Sequence, residues 1–197
     1  MSAIAELLAL CQRAEALLAS VPELDGHRAR CHVAVLRTHI DCTSYTLFAD
    51  RASGGAMALI RSWQRQVDEA RFGDDWASTD YPVNVQPTME SWQVPVSPGA
   101  VHAVMLRAQE LRVPASLADL QGGQDGTVYV LSFIESTLAS ATFRWWQASW
   151  MDDAGLTREG PSPAGWHELP DLARRVINLA GGPGWPGPWT RWQGPPG

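Results

Sequence analysis

The stretch that decides the fold is residues 127–150, which read TVYVLSFIESTLASATFRWWQASW. Its first half alternates side chains of different character over residues 128–133, a pattern typical of a β-strand, in which successive side chains point to opposite faces. Small and polar residues follow at 136–140, and a second strand pattern occupies residues 142–150. The sequence therefore predicts an antiparallel hairpin over residues 127–150.

The second strand of this hairpin has two faces of different kind. Trp145 lies on one face, and Arg144, Trp146 and Trp150 lie on the other. A helix predicted over residues 166–180 has an apolar side that can cover the first face. The second face requires either another helix or a binding partner, and burial in the core is the preferred interpretation.

The rest of the chain is predicted to be mostly helical. Apolar residues recur at helical spacing over residues 2–20 and 56–71, and Ser97 followed by Pro98 is typical of a helix start over residues 98–112. Residues 27–50 fit either a helix or two strands. Their β-branched content favours strands, but no Gly, Pro or Asn supplies a turn, so we give the helix a slight preference.

These elements predict one α+β domain, in which helices pack with a C-terminal antiparallel hairpin followed by a helix. The globular domain should span residues 1–182, and any internal boundary should lie at the proline-rich residues 74–98. Residues 183–197 form a tail of Pro, Gly and Trp with no packing pattern. Because exposed indoles are unfavourable in water, the tail should dock on the protein itself or on a partner. The candidate partner-binding residues are therefore Trp146, Trp150, Trp185, Trp189, Arg191 and Trp192.

Composition narrows the classes of function. The chain has 197 residues, ten of them Trp, and its fifteen cationic residues are all Arg. A genome rich in GC explains this bias, and each guanidinium can still stack on an indole. The net charge of −6 argues against binding to a nucleic acid backbone, which requires a surplus of cations.

The compartment is predicted to be the cytoplasm. Three cysteines, Cys11, Cys31 and Cys42, form no disulfide framework and indicate reduced thiols. The apolar start of the chain lacks a basic region before it and is interrupted by charges, so we expect no signal peptide. No uncharged apolar stretch is long enough to span a bilayer, and we expect no membrane partner.

One cluster of potential ligands is dense enough to consider as a metal or catalytic site. Zinc accepts imidazole and thiolate ligands, so a metal-dependent hydrolase is the alternative function. However, the spacing matches neither C-x-x-C nor H-E-x-x-H, and we expect no metal, no catalytic residue and no cofactor. A nucleophilic Cys42 beside its neighbouring His and Asp is a weaker candidate still. The cluster consists of His27, Cys31, His32, His39, Asp41 and Cys42.

The sequence accordingly favours a non-enzymatic bacterial interaction protein that binds or occludes another macromolecule. The expected partner is a protein, and the acidic charge favours a basic one. Small acidic proteins that neutralise a toxin share this profile, so an immunity-like role is suggested by analogy of composition. The sequence leaves the oligomeric state open.

Overall fold

The structure is a computed structural model that describes residues 3–37, 42–72, 83–111, 126–136, 139–151, 157–159, 168–181 and 190–191. Its helices are α1 (Ala3–Ala19), α2 (Arg65–Glu69), α3 (Pro98–Gln109) and α4 (Glu168–Leu179), and a 3₁₀ turn covers Ala70–Phe72. Its six longer strands are β1 (His27–Arg37), β2 (Thr43–Asp50), β3 (Ala56–Trp63), β4 (Met89–Pro95), β5 (Gly126–Ser136) and β6 (Ala139–Met151). Two short strands are β7 (Thr157–Glu159) and β8 (Thr190–Arg191).

All of these strands form one antiparallel sheet in the order β7-β6-β5-β1-β2-β3-β4-β8. One face of the sheet packs against α3 and α4, and the opposite face packs against α1. Strands β1 and β2 are therefore covered on both sides. None of the described helices is both long and apolar enough to cross a membrane.

The expected arrangement of helices packed with a separate C-terminal hairpin is wrong, although helices and an antiparallel sheet are both present. His27–Arg37, Thr43–Asp50 and Ala56–Trp63 are strands of the sheet, not helices, and the slight preference for a helix over residues 27–50 is overturned. β1 pairs with β5, so β5 and β6 continue the same sheet instead of forming a unit at the C-terminus.

The helix prediction for residues 27–50 is wrong because the strands in this region are buried on both faces. In β1, Val33 faces α3 and α4 while Ala34 faces α1, and both are fully buried. A strand buried on both sides reads as a nearly continuous apolar run, and its period cannot be distinguished from that of a helix. The β-branched residues were the more reliable signal in this stretch.

The helix predicted over residues 56–71 is wrong for residues 56–63, for the same reason, whereas Arg65–Glu69 is helical. Its first half is β3, in which Ile60 faces α3 and α4 and the neighbouring Leu59 is also buried.

The turn between β2 and β3 forms without a proline, because the side chain of Asp50 stabilises it. The Asp50 carboxylate accepts a hydrogen bond from the main-chain N–H of Ala52 at 2.7 Å, and Gly54 adopts a φ of 69°, which favours glycine.

Two apolar cores result, one on each face of the sheet. The core beneath α3 and α4 includes Leu47, Leu131, Trp145, Leu172 and Val176. The core beneath α1 includes Leu10, Leu18, Leu36, Trp63 and Phe72. In β5 and β6, Trp145 belongs to the first core, while Trp146 occupies the opposite face.

A buried carboxylate ties α2 to the sheet. Asp68 is completely buried, and its oxygens accept hydrogen bonds from the Trp63 indole N–H at 2.7 Å and from the Thr88 main-chain N–H at 2.7 Å. The Thr88 hydroxyl donates a third bond at 2.6 Å, and the Arg71 guanidinium lies 3.3 Å away. Four donors around one carboxylate compensate its removal from water.

We expect Asp68→Asn to lower the free energy of unfolding by about 2–4 kcal/mol, because an amide presents a donor to partners that are themselves donors. Urea titration of the full chain measures this change. Asp171→Asn is the matched control, since that carboxylate is exposed and pairs with Arg174 at the surface, where an ion pair contributes about 0–1 kcal/mol. Equal effects of the two substitutions would contradict the assigned role of Asp68.

Candidate functional site

The structure separates the described members of the His and Cys cluster. Adjacent positions in β1 point to opposite faces, so Cys31 lies beneath α3 and α4, whereas His32 lies beneath α1. His27 lies at the start of β1, far along the strand from Cys42, which precedes β2. Residues 39 and 41 lie outside the described residues. Within the described part of the chain, no three His, Cys, Asp or Glu side chains are placed to hold a metal ion.

Both ring nitrogens of the buried His32 are already engaged. Nε2 lies 2.9 Å from the main-chain oxygen of Leu18, and since that oxygen can only accept, Nε2 carries the proton. Nδ1 therefore accepts from the Thr46 hydroxyl, also at 2.9 Å. Burial, together with the nearby Arg61 cation, lowers the pKa of His32 to about 3, so the ring is neutral at physiological pH.

Arg61 completes this buried polar group. Its guanidinium donates to the main-chain oxygen of Ser20 at 2.6 Å and of Leu18 at 3.5 Å, and its Nε donates to the Ser44 hydroxyl at 3.2 Å. Burial lowers the pKa of Arg61 to about 10, which leaves it charged at neutral pH. A cation at the C-terminal end of α1 is also favoured by the helix dipole. We call Leu18, His32, Thr46 and Arg61 the α1 anchor.

The buried thiols are protonated and unreactive at neutral pH. Burial raises the pKa of Cys42 to about 11 and raises the pKa of Cys31 further. The Cys42 sulfur accepts a hydrogen bond from the main-chain N–H of Arg37 at 3.3 Å. Nucleophilic attack and metal binding both require the thiolate form of cysteine, so neither protonated sulfur is suited to these reactions at neutral pH.

A cleft of about 580 Å³ opens where β1 begins and β2 ends. It contains His27, whose Nδ1–H donates to the main-chain oxygen of Asp25 at 2.9 Å and whose ring meets Phe48 edge-on. Arg28 and Arg51 line the cleft together with acidic residues of the α1–β1 loop. These mixed charges favour no single class of ligand.

The aromatic residues of β6 divide between the core and the surface. Trp145 is fully buried and stacks on Tyr129, with ring centroids 5.1 Å apart. Trp146 is half-buried on the other face, and its indole covers Gly126, where a Cβ atom would collide with the ring. The sequence favoured burial in the core for both faces, and the structure shows full burial for Trp145 but only partial burial for Trp146. The side chain of Trp150 lies outside the described residues.

Among the described helices, none packs mainly on the face around Trp146. The helix on this side, α1, packs on β1, β2 and β3. On β6, Thr142 and Arg144 are exposed beside the half-buried Trp146. We call these three residues the β6 strip. Of the candidate partner-binding residues, only Trp146 has a described side chain, and the structure places Arg144 next to it along the same strand face.

The tail contributes a strand to the sheet. The main chain of Thr190 and Arg191 forms β8, which pairs with Gln93 and Trp92 of β4 at one edge of the sheet. Trp185, Trp189 and Trp192 lie outside the described residues, as does the side chain of Arg191. The expected docking of these indoles on the protein itself or on a partner therefore stays a prediction.

We expect deletion of residues 183–197 to lower the melting temperature by about 2–4 °C, since the β4 edge loses its neighbouring strand, a loss on the order of 1 kcal/mol. Differential scanning calorimetry of the two forms measures this shift. Deletion of residues 192–197 is the control, because it leaves β8 in place. If the longer deletion has no larger effect than the shorter one, β8 does not stabilise the fold.

The α1 anchor predicts a pH dependence of stability. The unfolded chain protonates His32 near pH 6.5, whereas the folded chain resists protonation down to about pH 3. The stabilisation from neutral His32 is therefore complete above pH 6.5 and declines below it, by up to about 1.4 kcal/mol per pH unit.

Comparison with His32→Gln isolates this effect, because glutamine keeps a donor and an acceptor but does not titrate. The difference in unfolding free energy between the two proteins should shrink as the pH falls from 7 to 4, as measured by urea titration at each pH. His102→Gln, at an exposed position of α3, is the control. A difference that stays constant over this range would contradict a neutral, buried His32.

A scan against family models gives no match, and searches of curated proteins and of solved structures find no similar protein.

Proposed function

We propose that the chain is a non-enzymatic interaction protein that binds or occludes another protein through the β6 strip. The observation that carries this proposal is a half-buried indole, Trp146, beside an exposed guanidinium, Arg144, on a sheet face beyond the helix that covers its neighbours. Trp and Arg are the residue types most enriched among the energetic centres of protein interfaces.

Rigidity supports this assignment. Trp146 is opposite Val128 in the β5–β6 ladder, and its indole rests on Gly126. An aromatic side chain that is already ordered loses little conformational entropy when a partner covers it. Arg144 is opposite Val130 on the same face, which places a planar cation next to the indole.

The acidic charge of the chain indicates the partner. A net charge of −6 attracts a basic protein over a distance and raises the rate of encounter. Within that class, a toxin-neutralising role is the form that we favour, since masking a functional surface requires binding alone and no catalytic group. The preference for a basic partner rests on the net charge of the chain, whereas the β6 strip would provide the local contact with that partner.

The hydrolase alternative receives no support from the described residues. A hydrolytic metal site needs at least three converging ligands, and the described members of the cluster diverge. Both ring nitrogens of His32 are engaged, Nε2 with Leu18 of α1 and Nδ1 with Thr46 of β2, so coordination would break one of these bonds.

The test is affinity capture with the full chain as bait, followed by titration calorimetry with the captured partner. We expect Arg144→Glu to weaken binding by tenfold or more, because the planar guanidinium contact beside Trp146 is lost, even though the added negative charge by itself favours encounter with a basic partner. Trp146→Phe should also weaken binding while keeping an aromatic ring over Gly126. Arg51→Glu is the control, since it changes the net charge equally at an exposed turn.

Two outcomes would overturn the proposal. One is a partner that binds Arg144→Glu and the wild type equally well. The other is an equal loss for Arg51→Glu, which would show that overall charge, and not the β6 strip, determines binding. Circular dichroism of each variant verifies that the fold is intact.

A further inference from the structure

Strand β6 has an edge that no described strand covers along most of its length. β5 pairs with one side of β6 from Ala139 to Ala148. On the other side, β7 pairs only with residues 149–151. In the described ranges, residues 139–148 thus form an open edge of the sheet.

The sequence of this edge lacks the features that normally prevent pairing. Exposed edges are usually protected by proline, by several charges or by a covering segment. The opposite edge follows this rule, since β4 ends in Pro95 and pairs with β8. β6 contains no Pro, no Gly and one charge, Arg144, in thirteen residues.

Access to the edge is also favourable. α1, α3 and α4 make their main contacts with β1, β2 and β3. β5 separates these strands from β6. No described helix packs mainly on β6, so a second strand can approach it in the plane of the sheet.

We propose that two copies of this chain form a dimer by antiparallel pairing of their β6 strands. A two-fold axis perpendicular to the sheet relates the copies and joins the two sheets into one. Such an interface is closed, because each edge satisfies the other and no further edge of β6 remains. The inference does not depend on the proposed function, since it concerns the chain alone.

Symmetry and charge select one register. The axis keeps each face on its own side, so it must pass through a residue position of β6. An axis at Arg144 would place two guanidinium groups directly opposite each other, which is unfavourable. An axis at Thr142 or at Trp145 would pair a shorter part of the open edge.

An axis at Phe143 avoids both problems. It pairs residues 139–147 of one copy with residues 147–139 of the other, all within the open edge. Phe143 then lies opposite Phe143 of the second copy, a favourable aromatic cross-strand pair. On the other face, Thr142 lies opposite Arg144 of the second copy, so no like charges meet.

The dimer would bring the two β6 strips together on one face of the joined sheet. Trp146 of each copy would lie opposite Ser140 of the other, a small exposed residue that leaves the indole accessible. A partner could contact both strips at once, and a surface that repeats across a two-fold axis favours a partner that is itself two-fold or elongated.

The first measurement is the mass of the purified full chain by size exclusion with light scattering over a concentration series. We expect a species of twice the 21.5 kDa chain mass that dissociates on dilution. A monomer at every concentration would overturn the proposal, and so would larger open assemblies, since those require a different geometry.

Three substitutions test the register. Thr142→Lys places a lysine opposite Arg144 of the second copy twice in each dimer, and should weaken the dimer about tenfold. Thr142→Glu places an opposite charge there and should keep or strengthen it. The double variant Thr142→Lys with Arg144→Glu should restore the dimer.

Thr142 is exposed, so these variants should fold. If Thr142→Lys leaves the dimer unchanged, the copies associate through another surface and the proposal is wrong. If Thr142→Glu weakens the dimer as much as Thr142→Lys, the register at Phe143 is wrong and the proposed pairing fails.

Discussion

The placement of α1 on the sheet depends on one buried imidazole. His32 donates to the Leu18 carbonyl at the end of α1 and accepts from Thr46 of β2, so a single ring connects a helix with two strands. Arg61 adds a third strand to the same helix end. Since the last carbonyls of a helix otherwise need water, this polar group makes it possible to bury the end of α1.

The anchor also explains why the described members of the His and Cys cluster are not brought together as a site. A histidine between two cysteines suggests metal ligands, but strand geometry sends Cys31 and His32 to opposite faces. The ring is then committed to the main chain, and the buried thiols are protonated. The reactivity of such residues depends on which face of a strand or helix they occupy. These faces can be assigned only after residues 27–37 are identified as a strand.

The predictable parts of the fold are those with one buried face or a clear boundary signal. Ser97 and Pro98 predicted the start of α3, which begins at Pro98. The alternation over residues 128–133 indicated β5, because its two faces differ in character. In β1 to β3 the second face is covered by α1, which removes the alternation, and no local pattern reports that distant contact. The candidate site shows the same limit, since alternation places Trp146 and Arg144 on one face but cannot show whether a helix covers them.

The two edges of the sheet differ in how they are protected from pairing with another chain. The chain uses its own C-terminal segment at the β4 edge, where β8 occupies main-chain groups that would otherwise be available to another chain. No described segment does this for β6 between Ala139 and Ala148. A protein with only 18% charged residues has few charges available to protect an edge. An edge left open in this way is a template for pairing with another strand, and the proposed pairing of two β6 strands would close it.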